Sequence, residues 1–178
     1  MSLADCLAPW HGSALRHVPA GARIDVLDFR YAGRGPASRW NMPGQPTLYL
    51  AGDEGVLIAE WGRHFVVNRT TALRHQTVER AVYSLDLMLD AVLDLRDPRV
   101  LATLSIEQAP HCFTDLAFAR ATAQFVRSTT AAQALLVPSM CFLDDLSRWC
   151  LVVFLDKLPP DPRTYITAVT PHRPIRWG

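Results

Sequence analysis

Nothing in this chain marks a metal centre, a disulfide scaffold or a bilayer span. Its four cysteines, Cys6, Cys112, Cys141 and Cys150, show no C-x-x-C spacing, and no two histidines stand at the interval a zinc site needs. Reduced thiols and no bound metal are expected. No uninterrupted apolar run approaches the roughly 20 residues that cross a bilayer, and the N-terminus lacks a basic stretch followed by an apolar one of signal-peptide length. An excess of one charge is missing too: a formal net charge of +1 gives no general attraction to nucleic acid or anionic lipid. The expectation is a cytoplasmic protein with no direct nucleic-acid or membrane partner. Repeats, low-complexity tracts and linker-like runs are also lacking, so residues 1–178 read as one domain, a size that buries about 70% of the unfolded surface without staples.

The first 44 residues are punctuated by Gly33, Gly35, Pro36, Pro43 and Gly44, which predicts loops with a short strand around Ala14 to Val18 and no long helix. Thr47 to Ala51 reads as a short buried strand, and Asp53 as the N-cap of a helix from Glu54 to about Phe65. From Val82 onward Tyr83, Leu85, Leu87 and Leu89 alternate with polar residues, Met88 excepted, which predicts a strand. Thr114 or Asp115 can cap a helix to about Arg127 whose core stripe is Leu116, Ala119, Ala123 and Val126. Strands are then expected over Gln133 to Val137, over the apolar run Arg148 to Leu155, which has the character of a central strand, and over Tyr165 to Val169. Mixed small sheets with a few helices make the fold class α+β.

The candidate chemistry gathers around Arg39, Tyr49 and Glu60. Arginine offers a planar fork of donors that matches phosphate oxygens, which makes Arg39 an anion anchor. Tyr49, at the end of a strand, offers a flat face to a ring. Glu60 lies among Val56, Leu57, Ile58, Ala59 and Trp61, where a carboxylate needs a partner or a function to offset burial. A structural ion pair between Arg39 and Glu60 is the plain alternative. Gly33-x-Gly35 has no strand before it or helix after it, so a dinucleotide-binding site of the Rossmann kind is disfavoured. Arg34 reads as a surface arginine, His17, His64 and His111 as surface or packed histidines, and Trp10, Trp149 and Trp177 as core or interface aromatics.

Arg39-Trp40-Asn41 with Gly44, then Tyr49-Leu50-Ala51, Glu60, and Pro138-Ser139 after a strand together resemble the RES domain family over about Leu15 to Val169. The family takes its name from an arginine, a glutamate and a serine, which fall here on Arg39, Glu60 and Ser139. Tyr49 matches the tyrosine after the strand, and Arg16 an arginine often found on the first strand. Ala37-Ser38 stands where the family usually has Gly-Gly, and Met140-Cys141-Phe142 and Ser147-Arg148-Trp149 also depart from the pattern.

The resemblance implies a fold like that of ADP-ribosyltransferases and a toxin of a type II toxin–antitoxin pair that destroys NAD by phosphorolysis or hydrolysis. NAD is then a substrate, inorganic phosphate a possible second one, and no metal takes part. The implied roles are Glu60 for stabilising charge on the ribose, Arg39 and Arg16 for the pyrophosphate, Tyr49 for the nicotinamide ring, and Ser139 for a hydrogen bond to the cofactor or its amide. An antitoxin of the Xre type with a helix-turn-helix part is the implied partner, and a homodimer is compatible. Transfer of ADP-ribose to a protein, and a non-catalytic interaction domain, are the alternatives.

Overall fold

A computed structural model describes residues 2–21, 25–32, 37–68 and 78–177. The elements run β1 (Ala8–Pro19), β2 (Thr47–Ala51), α1 (Glu54–Asn68), β3 (Val78–Asp94), α2 (Pro98–Thr103), α3 (Leu116–Thr129), β4 (Ala134–Pro138), β5 (Trp149–Phe154), β6 (Ile166–Pro171) and β7 (Ile175–Trp177). The α+β expectation holds, with the strands gathered into one seven-stranded sheet. β1 pairs with β2, β2 with β5, β5 with β4, β4 with β3 and β3 again with β1, so the sheet closes on itself. Among the described residues, only β3 and β4 run parallel. β6 and β7 pair with β3 on the edge away from β1. No helix among the described residues is long and apolar enough to cross a membrane.

Closure creates an inside and an outside. Leu85, Leu87 and Leu89 of β3 point inward as their alternation predicts, meeting Leu48, Leu50, Leu136, Leu151 and Val153, while Met88 is half exposed. The outer face of β4 and β5 carries Leu135, Val137, Val152 and Phe154, which α3 covers with Ala119, Ala123 and Val126. β5 is therefore buried on both faces, as its continuous apolar run implies. A third cluster seats α1 through Val56, Leu57 and Trp61 against Ala51 and Val82.

Helix starts are decided by aspartates. Asp53 Oδ1 accepts from Val56 N at 2.9 Å, and Asp115 Oδ1 accepts from Ala117 N at 2.7 Å and Phe118 N at 3.1 Å, each satisfying donors that the first turn leaves unpaired. Gly52, between β2 and α1, lies so close under the indole of Trp149 that a Cβ would stand 2.6 Å from it. Any side chain at this position would have to displace the Trp149 indole.

Four expectations need correction. β1 is 12 residues long and starts at Ala8, because Pro9 falls at the register shift between Ala8 and Trp10 and Pro19 at the strand's last position, where a missing N–H does least harm. Leu116 is not core: at the first turn of α3 it is 50% exposed. α1 continues past Phe65 to Asn68. Two elements, α2 and β7, have no counterpart in the sequence reading; α2 buries only Val100 and so shows no stripe. Gly33, Arg34 and Gly35 lie outside the described residues, as does the side chain of His64.

Candidate active site

β1 and β2 share a single register pair, Leu15 with Ala51. Beside this thin seam opens a cleft of about 620 Å³. Its floor is formed by Tyr49, Ala51, Val137 and Cys150, and its walls by α1, the start of α3 and the residues around Arg39. Arg16, Arg39, Tyr49 and Glu60 all line it, so four of the five residues singled out in sequence converge on one space.

Glu60 is fixed by the segment that follows β4. Its Oε1 accepts from Ser139 Oγ at 2.7 Å and from Met140 N at 2.7 Å. Ser139 is fully buried, its own N donates to Arg148 O at 2.9 Å, and its Oγ accepts from Cys141 N at 3.3 Å. The serine is therefore behind the carboxylate and is not among the residues that line the cleft, and its hydroxyl donates to Glu60. Charge-assisted bonds of this kind hold a carboxylate in one orientation. Glu60 also acts on its neighbours: burial first, then the nearby carboxylate, pushes the Cys141 thiol up to about 11, and the same two causes in the same order raise Cys150.

Arg39 sits in a tight loop closed by a bridge between Ser38 and Asn41. Its Nη1 donates to Phe113 O at 2.5 Å and Thr114 O at 2.9 Å. Tyr49 pins the same loop from below, its hydroxyl donating to Asn41 Oδ1 at 2.7 Å and accepting from Trp40 N at 3.2 Å. The Tyr49 ring keeps 38% exposure toward the cleft, whereas the hydroxyl is enclosed, and that burial pushes its pKa up to about 12. Arg120 ties in the loop from α3 by donating from Nε to Ser38 O at 3.0 Å.

Arg16 is partly committed elsewhere. Its Nη1 donates to Val26 O and its guanidinium stands 4.6 Å from the centre of the Phe29 ring. Burial lowers its pKa to about 10, opposed by Asp28 and Asp25, so it stays charged at neutral pH. The Arg39–Glu60 ion pair is not formed; each group is held by other partners. His17 lines the cleft with Nδ1 accepting from Arg80 Nε at 3.0 Å, and His111 is exposed. Trp10 and Trp149 meet edge to face at 5.8 Å against the inner core.

Arg63, Arg120 and the Met140 amide are site groups that the sequence reading missed, and Asn41, quoted there only as part of a motif, is the partner of the Tyr49 hydroxyl. Arg63, three residues after Glu60 on α1, was within reach of helix spacing; the others meet the site only through tertiary folding.

A model of the RES domain family matches residues 14–178. Among solved structures, the crystal structure of the M. tuberculosis MbcT–MbcA toxin–antitoxin complex is similar, with a TM-score of 0.64 at 21% identity over 98% of this chain and 89% of that chain. At that identity the likeness is one of fold. No curated protein matches.

Proposed function

The chain belongs to the RES domain family, and on that premise we propose that it cleaves the bond between nicotinamide and ribose in NAD, acting as the toxin of a toxin–antitoxin pair on the cytoplasmic NAD pool. The observation that carries this reading is the Glu60 carboxylate, held by Ser139 and Met140 N at the edge of an arginine-lined cleft. As the C–N bond stretches, positive charge gathers on the sugar carbon, and a preorganised carboxylate stabilises it more in the transition state than in bound NAD. Nicotinamide departs neutral, taking the bonding electron pair onto its ring nitrogen, so no strong general acid is needed.

Arg39 anchors the pyrophosphate with the donors its carbonyl contacts leave over, and Arg16 adds positive charge on the same side. The open face of Tyr49 packs on a ring of the substrate. Ser139 is a positioning residue that acts through Glu60. The ADP-ribosyl group then passes to water or to phosphate.

The toxin–antitoxin reading is supported by the likeness to a toxin solved with its antitoxin. The partner proposed is an antitoxin of the Xre type, with a helix-turn-helix part and a segment that fills the cleft against its exposed rim residue Leu116. Purified protein incubated with NAD should release nicotinamide, and Glu60→Gln should release little. Label from NAD appearing on protein would instead favour an ADP-ribosyltransferase. No turnover, together with unchanged growth on expression, would return the chain to an interaction module.

A further inference from the structure

We propose that a second cavity, separate from the cleft, binds a small neutral planar ring carrying one hydrogen-bond acceptor, and that its occupancy is felt in the cleft through Arg16.

The cavity has a volume of about 310 Å³ and shares no lining residue with the cleft. That is the small end for a ligand site and leaves room for one ring or two fused ones. Residues 27–30 supply one part of its lining; Pro46, Leu155 and the prolines at 159, 160 and 162 supply the rest, together with Tyr165. Proline rings and the ring of Phe29 are apolar surfaces on which a flat ligand packs. The two charged groups of the lining cancel each other: Arg30 Nε and Nη2 donate to the carboxylate oxygens of Asp28 at 2.9 and 2.6 Å. A charged ligand would lose water there without gaining a counter-ion, which selects a neutral one.

The ring of Tyr165 belongs to the core inside the sheet, and the residue is 5% exposed. Among the described residues its hydroxyl has no hydrogen-bond partner, yet no buried side-chain oxygen is left unpaired. The hydroxyl therefore reaches a surface, and that surface is the cavity Tyr165 lines. Burial first, then Asp161, pushes its pKa up to about 12, so it stays a protonated donor. An unpaired phenol in an apolar cavity favours a ligand that brings one acceptor and little else that is polar.

Arg16 joins the two spaces. It lines the cleft, while its Nη1 donates to Val26 O and its guanidinium stands 4.6 Å from the centre of the Phe29 ring. Among the described residues, the other hydrogen bonds of residues 25–30 stay within 25–32, so Arg16 is the polar tie between this part of the lining and the sheet. The rest of the lining is braced: Pro46 O accepts from Leu155 N at 3.0 Å and from Nη2 of the buried Arg127 at 3.1 Å. A ring packed on Phe29 holds Phe29 and Val26 against Arg16, and an arginine so held is less free to turn to an anion in the cleft.

The test uses the whole chain and two probes followed by fluorine NMR: a fluoroquinoline, neutral at neutral pH with one ring-nitrogen acceptor, and the fluoronaphthalene of the same shape that lacks it. Wild type should bind the quinoline with a dissociation constant on the order of 1 mM or tighter and prefer it to the naphthalene by about threefold to tenfold, the range of one neutral hydrogen bond. Tyr165→Phe keeps the core ring and should erase the preference, whereas Glu60→Gln should leave it intact. Equal binding of the two probes by wild type, or a preference that survives Tyr165→Phe, would overturn the site. Calorimetry of inorganic pyrophosphate, with the cavity empty and filled by the quinoline, reads the link to the cleft without any turnover of NAD. Filling should weaken pyrophosphate binding about threefold or more in wild type and have no effect in Arg16→Gln, and pyrophosphate should weaken the quinoline by the same factor. Absent, unchanged or stronger pyrophosphate binding would overturn the coupling and leave the ring site standing.

Discussion

Ser139 Oγ donates to Glu60 Oε1 at 2.7 Å from a position with no solvent exposure. On the proposed mechanism a hydroxyl placed so acts through Glu60. Ser139→Ala should therefore lower kcat with little change in the KM for NAD. Loss of a hydrogen bond to a charged group is worth about 1.5–3 kcal/mol, or roughly tenfold to a hundredfold in rate. A large rise in KM with unchanged kcat would mean that the serine touches substrate.

Tyr49→Phe separates the ring from the hydroxyl. The ring stays to pack on the substrate, while Asn41 and Trp40 N lose their shared partner and the Arg39 loop loosens. Stability should fall by about 1 kcal/mol, the usual net value of a neutral hydrogen bond, and the KM for NAD should rise several-fold. Denaturant unfolding and steady-state kinetics read the two effects, and a variant with wild-type values in both would remove Tyr49 from the support of Arg39.

Arg39→Lys keeps the charge but not the fork. A lysine cannot hold the carbonyls of Phe113 and Thr114 and still present a planar pair of donors to a pyrophosphate. Calorimetry should show NAD binding weakened about tenfold or more. Equal affinity would transfer the anchor to Arg16.

Alkaline unfolding should be unusually informative. Burial, then Glu60, holds the Cys141 thiol up to about 11 from an ordinary 9.0, and burial holds Tyr49 and Tyr165 up to about 12 from 10.0. Each binds its proton more tightly folded than unfolded. Its stabilisation is complete below its unfolded value and is lost as pH rises through the folded one. Stability measured by denaturant titration should thus be flat with respect to these groups below pH 9 and decline from about 9 to about 12. Because Arg16, lowered to about 10 by burial, contributes in the opposite direction above that pH, the groups are also read singly: folded-state absorbance titration showing Tyr49 and Tyr165 ionising at an ordinary 10.0 would contradict their burial.

The parts of the fold written in short-range pattern were legible. Leu85, Leu87 and Leu89 alternate, Asp53 and Asp115 cap, and the run ending at Phe154 is buried on both faces, because each follows from neighbours in sequence. β1 was cut short because Pro9 and Pro19 look like breakers until the bulge and strand end that tolerate them are seen. Leu116 keeps helical spacing with Ala119 and Ala123 yet reaches the cleft rim, since spacing assigns a face and not what covers it. In the site, Arg39 and Glu60 were singled out by residue chemistry and Ser139 by resemblance, but the bond between Glu60 and Ser139 spans 79 positions. No local pattern announces such a contact.

The most direct measurement is NAD and nicotinamide quantified over time in solutions of purified wild type and Glu60→Gln, with folding of both checked by thermal melts. The expected result is stoichiometric release of nicotinamide by wild type and a rate lower by about a hundredfold or more in the variant, the loss typical of removing one preorganised electrostatic group, with NAD affinity little altered. Equal rates in two well-folded proteins would show that the Glu60 carboxylate does not answer the charge on the ribose, and the proposed mechanism would fall.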